Sequence, residues 1–491
     1  TAFVARNSRL SETEPLLSRA GIRVRGSSSS NQPKGKQSLS IEAWNEKGEE
    51  LAIAPFEMPE ESDWVLYAPY RYDRALIRNS LVYELYRQMG HYAPRTQLVE
   101  VFINTEGGEL TNADRVGVFT FMEKVKRDRD RVAFSRMSQE GSTGGWLLQS
   151  QRKDPMPADG SSMVPYNFHT AGPNRTLQGP SGGSSGADRG GDDIPAGYNT
   201  FLNFVSPKGY DSTSAQREAI MEWFVRFEDT LYGDDYRDPE KGYQAFLDLP
   251  SFIDHYWMVD FSRNVDGLAL STYLYLPEQD GKLHMGPVWD YDRTLGSDDG
   301  RVDNPSSGFF GRDRLWYARL FDDPEFVQAA QDRWQTHRLT VFSDENLNGL
   351  IDLFADEITG EVAAFNFEKW GGSNNRPRGS QWRNEIEHLR DWVLDRAAWL
   401  DKQFEPLPRL DPPSGTIAND KAVQIRLPSI FATGTVYFTT DGSDPRGPGG
   451  VITGKPFKTV LVINEETMVR ARIKNGDVWS GRVSGTYTPV E

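Results

Sequence analysis

Two short motifs, RNVDG and WDYD, carry the residue types and the spacing needed to bind a hard cation. Asn264 and Asp266 lie in RNVDG, directly after a stretch with helical periodicity, and Asp290 and Asp292 lie in WDYD, directly after a predicted strand. Mg²⁺ prefers oxygen ligands and is commonly held by one or two carboxylates together with substrate phosphates. The motifs therefore indicate a cation site, although a turn in which the aspartates only cap the backbone is the structural alternative.

Other kinds of chemistry are poorly represented in the chain. It has no cysteine, which excludes disulfides, thiolate metal sites and a cysteine nucleophile. Its 6 histidines are scattered without ligand spacing, and neither an H-E-x-x-H pair nor a Walker A sequence occurs. With 55 Lys and Arg against 71 Asp and Glu, the net charge of −16 argues against a nucleic-acid-binding protein. The apolar runs are too short for a membrane-spanning helix.

The elements around the two motifs can be predicted from periodicity. Apolar residues at helical spacing predict a helix over 73–90, and another is predicted from 250 to its end at Gly267. The segments STYLYL and GKLHMGPVW flank the turn PEQDG and predict a hairpin that leads into WDYD. Asp266 would then follow a helix and Asp290 a hairpin strand, which is the order of a kinase catalytic loop and its metal loop.

At the scale of domains, a β-rich first part precedes a helix-rich second part, which predicts an α+β fold with two lobes. The last residues change to short alternating runs separated by turns, which predicts a small all-β sandwich. The predicted divisions are one domain over 1–405 (a β-rich lobe at about 16–150, a glycine-rich insertion at 170–197 and a helical lobe at about 200–405), a linker at 406–413 and the sandwich at 414–491.

Several blocks of the chain, in order, resemble the CotH-like (spore coat protein H) kinase family. They are IRVRGSSS with PKGKQSLSIE, RYDRALIRNSLVYELYRQMG, VEVFIN with VGVFTFMEKVKRDRDRV, GGWLLQ, RNVDGLALSTYLYLPEQDGKLHMGPVWDYDRTLG and WYARLFDDPEFVQAAQDRW. The resemblance implies an atypical, protein-kinase-like fold with two lobes, and a protein that uses ATP and Mg²⁺ to phosphorylate protein hydroxyls.

The resemblance also implies roles for the residues of the two motifs. Asp266 would be the catalytic carboxylate beside the attacking hydroxyl, and Asp290 would bind the metal ion. Asp292 and Asn264 would support the metal site.

On the side of the β-rich lobe, Arg25 and Lys36 are the cationic candidates for binding nucleotide phosphates, and Glu123 is the acidic candidate for a Lys–Glu pair. Each has a structural alternative: Arg25 can brace its loop, Lys36 can end a strand in solvent, and Glu123 can belong to an exposed charged face.

Three positions depart from the kinase pattern. Ser271 stands where an asparagine would bind metal, Gln149 stands where members with kinase character tend to carry lysine, and Gln151 replaces an acid. These differences put phosphoryl transfer in question, but not the fold.

The C-terminal block YFTTDGSDP resembles the immunoglobulin-like module attached to chitobiases and β-hexosaminidases. That resemblance and the absence of cysteine favour a secreted or cell-surface bacterial protein, expected to be a monomer.

Three functions stay open: a kinase acting on a protein substrate, a pseudokinase scaffold bound to a surface or polysaccharide, and a glycosidase using Asp266 and Asp290.

Overall fold

The computed structural model describes most of the chain, and its residues form two compact units. Unit 1 comprises Thr1–Leu315 and Leu347–Val393, and unit 2 comprises Trp316–Asn346 and Leu394–Glu491. The described residues are 16–26, 32–70, 72–151, 202–279, 281–297, 305–358, 360–370, 381–418, 422–429 and 433–490, with the backbone of 5–6, 9–10, 167–169 and 201. The glycine-rich insertion predicted at 170–197 lies outside these residues.

The first large sheet of unit 1 is antiparallel and has the strand order β3-β4-β5-β7-β6. A short pair, β1 and β2, precedes it, and helix α1 (Arg78–Gln88) lies between β5 and β6 in sequence. The strands are β1 (Ala5–Arg6), β2 (Arg9–Leu10), β3 (Arg19–Val24), β4 (Leu39–Trp44), β5 (Asp63–Tyr67), β6 (Thr96–Phe102) and β7 (Arg115–Glu123). Two of its antiparallel pairs join strands that are neighbours in sequence or nearly so, β3 with β4 and β6 with β7, in the part of the chain predicted to be β-rich.

The second sheet of unit 1 is also antiparallel, with the order β12-β11-β8-β10-β9. Its strands are β8 (Trp146–Gln151), β9 (Asn167–His169), β10 (Phe201–Ser206), β11 (Thr272–Leu276) and β12 (His284–Met285). The predicted hairpin around PEQDG is confirmed as β11 and β12, which delivers the WDYD motif from the edge of this sheet.

The described helices after α1 lie in the part of the chain that was predicted to be helix-rich. They are α2 (Ser214–Leu231), α3 (Leu249–Ser262), α4 (Tyr317–Leu320), α5 (Pro324–Arg338), α6 (Asp344–Asp356), α7 (Gly360–Trp370) and α8 (Trp382–Asp401). Helix α2 packs on the second sheet through aromatic side chains, with the ring of Trp146 5.8 Å from Trp223 and 5.5 Å from Phe224. Such ring pairs stabilise the core beyond the apolar area that they bury.

Helix α3 carries the chain to the RNVDG motif. Asp248 caps its first turn by accepting a hydrogen bond from the Ser251 N–H at 2.9 Å. The helix ends at Ser262 because Arg263 adopts the left-handed conformation with φ of 52°. The helix was therefore predicted too long, since it ends before Gly267, and Asp266 lies in a turn.

Unit 2 contains two further sheets with an apolar core between them. One sheet has the order β13-β15-β18, and the other has the order β14-β21-β19-β16-β17 with β20 paired to β19. Core residues Val423 and Ile425 come from the first sheet, and Val436, Val469 and Ile473 come from the second. The strands are β13 (Arg409–Asp411), β14 (Gly415–Ala418), β15 (Ala422–Arg426), β16 (Thr435–Thr439), β17 (Lys455–Pro456), β18 (Leu461–Val462), β19 (Thr467–Asn475), β20 (Val478–Trp479) and β21 (Val483–Val490).

Within unit 2, helix α5 is joined to these sheets by a buried ion pair. Arg472 on β19 is 2% exposed and donates to both carboxylate oxygens of Asp332 on α5, at 2.7 and 2.5 Å. It also donates to Asp444 at 2.7 Å. Bidentate arginine–carboxylate pairs fix geometry more firmly than single hydrogen bonds. Helix α5 and the C-terminal sheets thus belong to one packed body.

The predicted α+β class is confirmed by these sheets and helices, whereas the two-lobed kinase-like arrangement, the immunoglobulin-like character of the C-terminal sheets and the domain boundaries stay predictions. Part of the predicted linker, Arg409–Asp411, forms β13 and pairs with β15. None of the described helices combines the length and the apolar character required to cross a membrane.

Candidate functional site

The two acidic motifs lie in loops with an unusual number of left-handed residues. Both Ser271 and Asp290 have this conformation, with φ of 54° and 66°. Non-glycine residues pay about 1–3 kcal/mol each for sparsely populated conformations, and they persist where surrounding contacts hold them. The other described non-glycine residues of this kind in the two loops are Arg263, Leu268 and Leu295. Such a concentration of strain is typical of functional sites.

Asp290 is held from two sides. Its backbone N–H donates to the Tyr83 hydroxyl at 3.1 Å, and its Oδ2 accepts a hydrogen bond from the Ser271 hydroxyl at 3.0 Å. Burial raises the pKa of Asp290, and the negative charge of Asp266 raises it further. Asp266 is therefore close enough to Asp290 to affect its protonation.

The turn containing Asp266 is fixed by its own asparagine. The Oδ1 of Asn264 accepts from the backbone N–H groups of Asp266 and Gly267, both at 3.1 Å. Arg314 then donates to the carbonyls of Val265 and Gly267, at 3.1 and 3.3 Å. Asn264 therefore holds the turn of Asp266, and its support of a metal site stays a prediction.

Asp292 lies beside a buried acidic neighbour that sequence reasoning missed. Burial raises the pKa of Asp292 well above its usual value, and the charges of Asp290 and Asp73 raise it further. The Tyr67 hydroxyl opposes this shift by hydrogen bonding to the carboxylate. Asp73 itself is 1% exposed and pairs with Arg78 at 3.1 Å. The site thus concentrates negative charge, which favours a cationic ligand.

Two arginines partly balance this charge. The guanidinium of Arg25 lies 5.0 Å from the centre of the Trp289 ring, where burial lowers its pKa and the charge of Asp290 opposes that change. Arg293 lies 3.8 Å from the centre of the Tyr72 ring, and its charge lowers the pKa of Asp290. The structure therefore brings Arg25, one of the predicted phosphate-binding cations, next to the carboxylates.

Lys36 precedes β4 in sequence and is buried against β7 of the first sheet. It is completely buried and donates to the Val118 carbonyl and to the Asn366 side chain, the latter at 3.0 Å. Burial lowers its pKa well below the usual value for lysine, while the charge of Asp73 opposes this. Its ammonium group lies 4.5 Å from the centre of the Phe119 ring. These contacts suit a structural lysine, and its role toward a nucleotide stays a prediction.

Glu123 is bound by other partners than Lys36. Its carboxylate accepts from the Arg95 guanidinium at 2.7 Å, from the Arg95 N–H at 2.9 Å and from the Tyr92 hydroxyl at 3.2 Å. Arg131 lies 3.9 Å away. The described contacts therefore do not include the Lys36–Glu123 pair that the kinase pattern suggests.

Two of the residues that depart from the kinase pattern, Ser271 and Gln151, are linked to Asp290 by hydrogen bonds. Gln151 donates to the Ser271 hydroxyl at 3.3 Å, and Ser271 in turn donates to Asp290. Gln149 lies two residues before Gln151 on β8, so both side chains leave the same face of the strand. Ser271 thus serves Asp290 as a hydrogen-bond donor.

Sequence reasoning missed the polar residues of helix α1. Arg78, Asn79 and Tyr83 are buried and bind the backbone of the WDYD loop. The available signal was their position: they interrupt or border the apolar residues that predicted the helix. A buried polar group needs a partner, so polar residues on a buried helical face point to a bound loop.

Asp292→Asn should stabilise the protein at neutral pH. Because the pKa of Asp292 is raised in the folded state, its contribution to stability is full below the unfolded-state pKa and is lost as the pH rises through the folded-state value. The variant should therefore unfold at a higher temperature than the wild type at pH 7, and the two curves should converge in acid. Thermal unfolding between pH 4 and 8 measures this difference.

Asp63→Asn provides a control of opposite sign. Although burial opposes the change, hydrogen bonds from Lys124 and Lys126 keep the pKa of Asp63 below its usual value. This carboxylate stabilises the fold above the unfolded-state pKa, so its loss should lower the unfolding temperature at pH 7. If Asp292→Asn is no more stable than the wild type at pH 7, the pKa of Asp292 is not raised by folding.

The carboxylates of this site fit a divalent cation that takes its remaining ligands from a phosphate and water. Among the described residues no group of three or more histidine or acidic side chains is arranged to hold a metal ion. Mg²⁺ does not require such a group, because it commonly takes one or two carboxylates, waters and substrate phosphates. Asp290 and Asp266 can supply those carboxylates, and Arg25 can meet the phosphate.

Comparison with known proteins agrees with the resemblance inferred from the motifs. A search of the curated proteins finds no match to this sequence. The family model described as "CotH kinase protein" matches residues 22–400, which include both acidic motifs, helix α1 and all the candidate residues. The match covers well over half of the 491 residues, and the chain belongs to the CotH kinase protein family.

Proposed function

We propose that this protein is an atypical kinase that transfers the terminal phosphoryl group of ATP to a protein hydroxyl. The observation that carries the proposal is that side-chain hydrogen bonds fix both acidic loops: Asn264 holds the turn of Asp266 after α3, and Ser271 holds Asp290 after β12. Two carboxylates supplied by successive loops, with an arginine beside them, are the parts that phosphoryl transfer requires. The family match over residues 22–400 supports the same reaction class.

Each residue has a distinct part in the proposed site. Asp290 would hold Mg²⁺, with Asp292 beside it, and Asp266 would accept the proton of the attacking hydroxyl. Mg²⁺ would neutralise the charge that develops on the phosphates. Arg25 would contact a phosphate oxygen, and Asn264 and Arg314 would keep the Asp266 turn in place.

A second candidate, a non-catalytic binding protein on the same fold, is favoured by specific contacts. Ser271 donates to Asp290 where the kinase pattern has a metal-binding asparagine, and Lys36 is bound to Val118 and Asn366 away from Glu123. Such a protein would bind a nucleotide, a protein or a polysaccharide without turnover. The two candidates differ in whether ATP is consumed.

The double variant Ser271→Asn with Gln149→Lys separates these candidates. Asparagine tolerates the left-handed conformation of residue 271 better than serine does, so the change suits the backbone. Lysine at 149 would lie on the face of β8 that carries Gln151. We expect tighter binding of Mg²⁺ and ATP, by about 10-fold if one new charged hydrogen bond forms. Isothermal titration calorimetry measures the affinity.

Transfer itself is followed with γ-labelled ATP and MgCl₂. Label on the wild-type protein, lost in Asp266→Ala, supports the kinase. Nucleotide binding without label in either form supports the binding protein, and the absence of both in the wild type and the double variant contradicts a nucleotide site.

The proposed setting is outside the cytoplasm of a bacterium. The absence of cysteine and the resemblance of YFTTDGSDP to modules of extracellular carbohydrate-associated proteins support it. The net charge of −16 disfavours nucleic acid as a partner, which leaves protein or polysaccharide. Cell fractionation of the native host with an antibody against the protein tests this location.

A further inference from the structure

Side chains of helix α1 form hydrogen bonds with the backbone of the WDYD loop and of the residues just after it. The Tyr83 hydroxyl accepts from the Asp290 N–H at 3.1 Å, and the Asn79 side chain accepts from the Tyr291 N–H at 2.7 Å. Arg78 donates to the Thr294 carbonyl at 2.9 Å. The spacing of residues 79 and 83 places both on one helical face. A single rigid element thus sets the path of the loop that carries the candidate metal ligand.

Among these contacts, the one from Tyr83 reaches Asp290 itself. With φ of 66°, Asp290 is in the left-handed conformation, which costs a non-glycine residue free energy and persists where its neighbours hold it. Tyr83 holds its N–H and Ser271 holds its carboxylate. Removing the Tyr83 acceptor would leave a partly buried N–H without this partner, which favours a backbone rotation that brings the N–H to another acceptor.

Tyr83 is completely buried, so its hydroxyl lies beneath the loop and has no surface for a ligand to touch. Its ring stacks on Trp289, with the ring centres 6.3 Å apart. Phenylalanine would keep this ring contact and remove only the hydroxyl. The role of the hydroxyl can therefore be separated from the role of the ring.

We infer that Tyr83 is a positioning residue that holds Asp290 in its left-handed conformation and so directs the Asp290 carboxylate at the ligand. The inference rests on the proposed function for the nature of that ligand, a divalent cation with a nucleotide phosphate. Its structural part, the control of the Asp290 backbone by one phenol, stands independently.

The test compares Tyr83→Phe with Tyr86→Phe in the full chain. Tyr86 lies one turn further along α1 and donates its hydroxyl to the Met285 carbonyl on β12 at 3.0 Å. Both variants lose one buried hydroxyl of the same helix, so both should lose a similar, small amount of stability. Only Tyr83→Phe should weaken the binding of Mn²⁺ alone, by 10-fold or more. Electron paramagnetic resonance of free Mn²⁺ measures this affinity.

A crystal structure of Tyr83→Phe decides the inference even if Mn²⁺ binding is weak. We expect φ of Asp290 to become negative and the contact between Ser271 and Asp290 to break. Asp290 retained at positive φ in this variant, or equal Mn²⁺ affinities of Tyr83→Phe and Tyr86→Phe, would overturn the inference. A wild-type protein that binds no Mn²⁺ would contradict the proposed metal site, while the Asp290 conformation in the variant would still decide the role of Tyr83.

Discussion

Asp290→Asn is expected to reduce phosphoryl transfer by about 10³-fold, because electrostatic stabilisation supplies most of the catalysis of this reaction. Asparagine keeps the size of the side chain, can accept the hydrogen bond from Ser271 and tolerates φ of 66°. The fold should therefore survive while the charge proposed to hold Mg²⁺ is lost. Initial rates with γ-labelled ATP measure the effect, and Mg²⁺-dependent thermal stabilisation should disappear with it.

Asp63→Asn serves as the matched control for this loss of activity. Asp63 is a half-buried carboxylate of the same unit, held by Lys124 at 2.9 Å and Lys126 at 2.8 Å on the first sheet. Its replacement changes the net charge equally, so activity should stay near that of the wild type. If Asp290→Asn retains activity similar to Asp63→Asn, then Asp290 does not bind the catalytic metal.

Arg78→Met is expected to have the largest effect on stability. Arg78 and Asp73 are each 1% exposed, and Arg78 also donates to the Thr294 carbonyl. Removing one partner of a buried ion pair leaves an uncompensated charge and costs about 3–5 kcal/mol. Here the remaining carboxylate would also lie near Asp292. Equilibrium urea unfolding of the full chain, followed by tryptophan fluorescence, measures the free energy of unfolding.

The double variant Asp73→Asn with Arg78→Met tests the cause. Removing the unpaired charge of Asp73 should recover a large part of the stability lost in Arg78→Met, because the cost arises from burying an unpaired carboxylate. A loss in Arg78→Met below about 1 kcal/mol, the value of an exposed pair, would show that the pair is not buried in solution.

The sequence pattern predicted the elements that depend on local contacts. The hairpin of β11 and β12 was predicted from two alternating segments around one turn, and the α1 region from apolar residues at helical spacing. The predicted ends of helices were less accurate where a side chain binds the backbone N–H groups that would otherwise continue the helix. The α3 helix ends at Ser262, and the Asn264 side chain then binds the N–H groups of Asp266 and Gly267, which a periodicity argument does not detect.

The residue types and order of the sequence by themselves determined the α+β class, the family and the placing of Asp266 and Asp290 in successive loops, because these follow from neighbouring residues. Only the tertiary structure decided which remote groups meet. Lys36 binds Asn366, 330 positions away, and Asp290 binds Tyr83, 207 positions away. A charge or a hydroxyl in a sequence carries no mark of its distant partner, since burial and packing select that partner only when the chain has folded.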